Sequence, residues 1–115
     1  MHLLHLRGRK TSDLVLRRGR VWKGKTMIIR TLPGSPRNHP SRAGLYVGTF
    51  APTSLSKKAV IRNRMRRRCR EALRIAVRER PVLPTTQLLV CPRAASLHEP
   101  FTTLQADVQL FLSTL

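Results

Sequence analysis

Hydrophobic residues recur along this chain with two different periods, and the changes of period mark its elements. Ile61, Met65, Cys69, Ala72 and Ala76 repeat at helical spacing, with Leu73 and Ile75 widening the stripe. Ser54 or Ser56 is the expected N-cap of that long helix, and Pro81 and Pro84 stop it. Glu99-Pro100 opens a last helix whose stripe is Phe101, Leu104, Val108, Phe111 or Leu112, and Leu115. A short helix runs through Leu14, Val15 and Leu16, capped by Thr11 or Ser12, with Gly19 suited to C′. Elsewhere the period shortens. Thr26 to Leu32 reads as a strand, and Pro33-Gly34-Ser35-Pro36 breaks it. Arg42 to Phe50 alternates, with Leu45, Val47 and Thr49 on one face and Tyr46 and Gly48 on the other. Gln87 to Cys91 is a short apolar strand, and a further strand fits around Arg20 to Lys25. The two strands flanking the polar, basic loop Pro33 to Ser41 look like a long hairpin. The expected fold is an α+β sandwich with helices packed on a mostly antiparallel sheet.

A length of 115 residues, 41% of them hydrophobic, fits one domain with a real core. Charge changes the picture more than length does. Twenty-three Lys and Arg stand against five acids, a net charge of +18. That balance opposes compaction and points to an anionic partner, nucleic acid first and an anionic membrane second. The membrane reading weakens because no apolar run approaches the roughly 18 residues of a spanning helix. The start, Met-His-Leu-Leu-His-Leu-Arg, is too short an apolar stretch for a secretory signal. Cys69 on the helix seam and Cys91 in an apolar run read as buried thiols of a reducing compartment, so a cytoplasmic location is expected.

Half of the net charge sits on the long helix. Lys57 to Arg80 holds eleven Lys and Arg against Glu71 and Glu79, or +9. At about 100° per residue, Asn63, Arg67, Arg70 and Arg74 fall opposite the apolar stripe, with Arg62, Arg64 and Arg66 on the flanks. Arg68 lies close to the stripe and must snorkel. Like charges at i, i+4, such as Arg62/Arg66, Arg66/Arg70 and Arg70/Arg74, destabilise a helix. An ordinary solvated face mixes signs; this one does not. The arginine fork suits phosphate oxygens and base stacking, and Asn63 offers an amide to a base edge or a 2′-hydroxyl.

Catalytic apparatus is not visible. Asp13, Glu71, Glu79, Glu99 and Asp107 are scattered over different elements, whereas two-metal phosphodiester hydrolysis uses clustered carboxylates. His2, His5, His39 and His98 lack ligand spacing, and no Cys-x-x-Cys, phosphate loop or nucleophile elbow occurs, so no metal site is expected. Trp22, Tyr46, Phe50, Phe101 and Phe111 form no paired stacking motif; Phe101 and Phe111 belong to the last helix seam.

Lys58-Ala59-Val60-Ile61-Arg62-Asn63-Arg64-Met65-Arg66-Arg67, continuing through Arg70-Glu71-Ala72, resembles the Arg-Asn-Arg signature of the protein subunit of bacterial ribonuclease P. Leu6, Val15-Leu16 and Gly19, then Met27 to Arg30, Arg42 to Val47, and Leu88 to Arg93 with the closing helix are similar to the rest of that family in order. The resemblance implies an α-β sandwich in the order α-β-β-β-α-β-α, with a left-handed β-α-β crossover filled by the signature helix, as in the ribosomal protein S5 domain 2-like fold. It implies a partner protein for a catalytic RNA that removes the 5′ leader of precursor tRNA. No cofactor is then held by the chain, and Mg2+ belongs to the RNA subunit. RNA contacts are expected at Lys57, Lys58, Arg62, Asn63, Arg64, Arg66, Arg67, Arg70 and Arg74. A cleft for the single-stranded leader is expected between the sheet and the first helix, walled by Leu16, Trp22, Met27 and Arg30. A monomeric protein within the ribonucleoprotein is expected with it, and no membrane contact is expected, as the lack of a long apolar run already indicates. The chain departs from the family in two ways. Ser56-Lys57-Lys58 arrives late, after a longer link from Gly48-Thr49-Phe50, and cleft aromatics are replaced at Ser12, Leu16 and Met27 or Arg30. The rival readings are a ribosomal or other structural RNA-binding protein, and a sequence-specific DNA binder, for which no helix-turn-helix or zinc pattern is present.

Overall fold

Nine elements follow one another in the computed structural model, which describes residues 3–38, 43–80 and 82–115. They are β1 (Leu3–His5), α1 (Arg9–Arg18), β2 (Arg20–Lys23), β3 (Met27–Pro33), β4 (Leu45–Thr49), α2 (Ala59–Arg78), β5 (Thr86–Pro92), α3 (Ala95–His98) and α4 (Phe101–Leu112). His2, His39, the end of the Pro33–Ser41 loop, the strand start at Arg42 and the helix stop at Pro81 lie outside the described residues.

The strands form a single five-stranded sheet in the order β1-β4-β5-β3-β2. β3 pairs with β5 over seven antiparallel positions, from Met27 opposite Pro92 to Pro33 opposite Thr86. β4 runs parallel to β5, and β1 runs parallel to β4. The expected hairpin of β3 and β4 is therefore wrong, because β5 lies between them, and the sheet is mixed rather than mostly antiparallel. Alternation marks a strand without naming its partner. β4 and β5 are parallel neighbours, so the chain must leave the sheet and return, and α2 fills that crossover.

Side-chain alternation divides the sheet into two faces. Met27, Ile29, Leu45, Val47, Leu88 and Val90 point to one side and pack with α2 and α4 in the main core. On α2, Met65, Cys69, Ala72, Leu73, Ala76 and Val77 are buried, so the stripe expected from the sequence is the core seam, with Val77 in place of Ile75. Among the described residues, α1 is the one helix on the opposite face, packed through a smaller cluster of Leu6, Val15, Tyr46 and Leu89. One ten-residue helix cannot cover five strands, and grooves remain on both of its flanks.

Two acids are used in holding this frame. The buried Asp107 carboxylate accepts from the Thr26 N–H at 2.7 Å and the Thr26 hydroxyl at 2.5 Å, tying α4 to the β2–β3 turn. Hydrogen bonds to a charged group contribute about 1.5–3 kcal/mol each. At Gly24 in that turn, a Cβ would meet the Trp22 ring at 2.6 Å and Asp107 Oδ2 at 2.9 Å, so the position has no room for a side chain. Lys25 and Glu99 pair at 3.2 Å.

The expected caps are displaced. The residue before α1 is Gly8, at φ 92°, and not Thr11 or Ser12, which lie inside the helix. Gly19 follows α1 in extended conformation at φ −68°, not left-handed. Its lack of a side chain serves close approach, since a Cβ there would sit 2.4 Å from the Val15 carbonyl oxygen. Lys58, in extended conformation, is the N-cap of α2, in place of Ser54 or Ser56. Ser56 still braces the helix start, because its hydroxyl accepts from the Lys58 N–H at 3.3 Å and its carbonyl accepts from Arg62 at 2.7 Å.

Candidate RNA interface

The α2 seam faces the main core, so the rest of its circumference is free to carry charge. Lys57, Lys58, Asn63, Arg64, Arg67 and Arg74 are exposed, and Arg62, Arg66 and Arg70 are half-buried. The first turn contains no acid, so the positive end of the helix dipole adds to the side-chain charge instead of being offset. All nine residues expected to contact RNA therefore lie outside the buried seam, on α2 or just before it, and eight of them are cationic.

These side chains differ in how far they are already engaged. Arg64 and Arg67 make no hydrogen bond or ion pair with another described residue. Arg66 donates to the Asn63 side-chain oxygen at 2.6 Å. Arg70 lies 2.7 Å from His5 Nδ1, so the end of β1 joins the surface. Arg74 forks onto Glu71, at 3.0 Å from Nε and 2.5 Å from Nη2. That hydrogen-bonded pair holds the Glu71 carboxyl below its usual range and raises the Arg74 guanidinium. Arg74 is thus partly neutralised by a neighbour one turn away. Arg68 snorkels as expected and donates to the carbonyls of Leu97 at 2.9 Å and Glu99 at 2.7 Å, satisfying exposed ends around α3.

The second feature is a groove of about 350 Å³ on the α1 face of the sheet, at the ends of β4 and β5. Leu16 of α1, Ile28 and Arg30 of β3, Cys91 of β5, and Phe50 and Leu55 from the connection to α2 line it. Arg30 donates to the Leu16 carbonyl at 3.4 Å, while its Nε has no partner among the described residues. Of the four residues expected to wall a leader cleft, the structure brings together Leu16 and Arg30 only. Met27 is fully buried in the main core on the opposite face, because neighbouring residues of a strand point to opposite sides. Trp22 is paired with Ile29 and so shares that core face, with its ring 5.6 Å from Phe111 in edge-to-face contact. Neither Met27 nor Trp22 lines this groove.

The sequence reading missed Ile28, Phe50, Leu55 and Cys91. Ile28 had a signal, since it lies two residues before Arg30 in the same strand. Phe50, 43% exposed, had none, because its place depends on how the longer connection leaves the sheet. The Phe50 N–H extends the ladder to the Val90 carbonyl at 3.0 Å, and this fixes where the ring starts. Burial raises both thiols. Cys69 in the core is pushed up to about 12, and Cys91 beside Arg30 is also raised, with the guanidinium acting against the shift. No group of three or more His, Cys, Asp or Glu able to hold a metal ion occurs among the described residues. None of their helices is long and apolar enough to cross a membrane.

Comparison with known proteins identifies the family and the fold. The chain is 34% identical over 95 residues to the ribonuclease P protein component of Gluconacetobacter diazotrophicus, covering 83% of this chain and 76% of that one. It is 32% identical over 105 residues to the ribonuclease P protein component of Parasynechococcus marenigrum, covering 84% and 81%. The RNase P protein from Thermotoga maritima shares the fold with a TM-score of 0.75 at 17% identity, over 96% of each chain. The RNase P protein of Staphylococcus aureus does so with a TM-score of 0.71 at 13% identity, over 99% of this chain and 94% of that one. The family model of ribonuclease P matches residues 2–115, and the chain belongs to that family.

Proposed function

We propose that this chain is the protein subunit of a ribonuclease P ribonucleoprotein, a single RNA-binding domain acting in the cytoplasm as one copy beside a catalytic RNA. The observation that carries the reading is the α2 surface, where Lys57, Lys58, Arg62, Asn63, Arg64, Arg66, Arg67, Arg70 and Arg74 lie together, with Glu71 the one acid paired to them among the described residues. A polyanion neutralises that self-repulsion, and phosphates fit the guanidinium forks. The groove of Leu16, Ile28, Arg30, Phe50, Leu55 and Cys91 takes the single-stranded 5′ leader of precursor tRNA. Its one aromatic, Phe50, provides a base platform, and Arg30 adds a cation for stacking or for phosphate. The groups that break the phosphodiester bond, with their Mg2+, belong to the RNA, and the protein orients the substrate and screens charge.

Reconstitution tests this. Purified protein with magnesium should not cleave precursor tRNA, and adding it to the cognate catalytic RNA at low salt should strengthen cleavage. Nuclease activity that survives removal of all RNA would sink the proposal. Tight RNA binding with no effect on cleavage would favour a structural RNA-binding protein instead.

A further inference from the structure

A second groove, about 580 Å³, runs along the other flank of α1, away from the Phe50 side. Helical spacing explains why the two flanks differ. Lys10, Leu14, Arg17 and Arg18 stand at i, i+4, i+7 and i+8 and face this groove, whereas Leu16 faces the other. Arg37 stands on the opposite bank, in a segment that Asn38 ties down by donating to the Arg7 carbonyl at 3.0 Å. Lys10, Arg17, Arg18 and Arg37 make no ion pair or hydrogen bond with another described residue, and no acid lines the groove. Four unpaired cations around one concavity repel each other and favour an anion between them.

The floor adds a different requirement. Gln87 of β5 points to the α1 face, opposite Tyr46 on one side and Leu32 on the other. It is 4% exposed, lines the groove, and its side-chain oxygen has no donor partner among the described residues. A buried acceptor without a partner is destabilising, and such groups are satisfied in most proteins. Leu14 and Leu32 supply apolar surface beside it. Cations at the rim, an apolar wall and a deep acceptor together match one kind of ligand. A nucleotide brings a phosphate, a flat apolar ring and an N–H donor on the base edge.

We propose that this groove is a second nucleotide site, holding one unstacked RNA nucleotide with its phosphate among Arg17, Arg18, Lys10 and Arg37. Its base lies on Leu14 and Leu32 and donates a hydrogen bond to the Gln87 side-chain oxygen. The proposal rests on the reading of the chain as an RNA-binding subunit. Every base carries an N–H donor, so the site detects the presence of a base rather than a particular sequence.

The test uses the full chain and a fluorescent single-stranded RNA of about twelve nucleotides, within the span that such surfaces cover, beside an abasic strand of equal length. Gln87→Leu removes the lone acceptor at similar volume. Its thermal stability should be unchanged or higher, because an unsatisfied buried group is removed, while affinity for the base-bearing strand falls up to about tenfold, the size of one uncharged hydrogen bond. Affinity for the abasic strand should not change. Arg17→Gln with Arg37→Gln should weaken both strands and shallow the salt dependence by roughly 0.7 for each phosphate that is no longer neutralised. Lower stability of Gln87→Leu with both affinities intact would show that water satisfies the oxygen, and would overturn the site. So would an unchanged salt dependence in the Arg17 and Arg37 variant while an Arg64→Gln, Arg67→Gln variant is affected. If neither arginine pair matters, the RNA-binding reading itself fails.

Discussion

The two faces of the sheet present RNA-binding chemistry in different ways. On the α2 side the candidate interface is one helix, its residues consecutive in sequence and sorted by a single period into core and cationic surface. On the α1 side each groove is assembled from three or more separate segments, with few charges that stand out in the sequence. The helix surface is strongly cationic. The grooves have shape and depth. On the proposed reading, long-range attraction belongs to α2, and discrimination among substrates belongs to the α1 side.

The largest expected effect separates core from groove. Met27→Ala should cost about 2–5 kcal/mol of stability, as for other large apolar residues cut back in a core, measured by denaturant unfolding. At temperatures where the variant is folded, its preference for precursor over mature tRNA should be intact. A selective loss of that preference would put Met27 back in the leader groove.

Arg68 sharpens the comparison within α2 itself. Its guanidinium serves the carbonyls of Leu97 and Glu99, so Arg68→Gln should lower stability by roughly 1–3 kcal/mol. RNA affinity and its salt dependence should hardly change. A variant as stable as the parent but weaker on RNA would move Arg68 into the interface.

In the groove, Phe50→Ala should reduce the preference for precursor over mature tRNA by about 1–3 kcal/mol, the range for one base stacked on an aromatic. Arg30→Ala should act in the same direction, with little change in affinity for the catalytic RNA. Equal losses for precursor and mature tRNA in both variants would remove the leader from this groove.

The smallest effect is chemical. Thiolate is the reacting form, and burial disfavours it at both cysteines, so alkylation should be slow and should rise with pH above the ordinary thiol range. Half-buried Cys91 should react before fully buried Cys69, and precursor tRNA should protect Cys91 where mature tRNA does not. Protection by both alike would argue against a leader in contact with Cys91.

How much of this was legible follows from the same contrast. The α2 seam from Met65 to Ala76 and its arginine surface could be read because helical period and charge sign are local. The strand near Trp22 was also foreseen. Strand partners were not, because β5 enters between β3 and β4 from 37 residues beyond the end of β4, counting Thr49 to Thr86. Met27 and Trp22 were misplaced because matching to a family pattern fixes a position along a strand more firmly than the face it presents. The period-2 rule, applied to Met27 and Arg30, already sets them on opposite sides. The Leu3–His5 strand and the short α3 helix are too brief for periodicity to register. Phe50 and Gln87 become informative only when the elements around them are assembled.

The central claim is that the α2 surface supplies the electrostatic affinity for RNA. Its most direct test is the salt dependence of binding to the catalytic RNA, for the parent and for Arg64→Gln with Arg67→Gln. Those two arginines have no partners among the described residues, so the fold should be unaffected. If about six phosphates are neutralised, the parent should show a slope of log K against log salt of roughly −4 to −5, and the variant a slope shallower by roughly 1.5. An identical slope in both proteins would contradict the account and place the RNA interface elsewhere on the molecule.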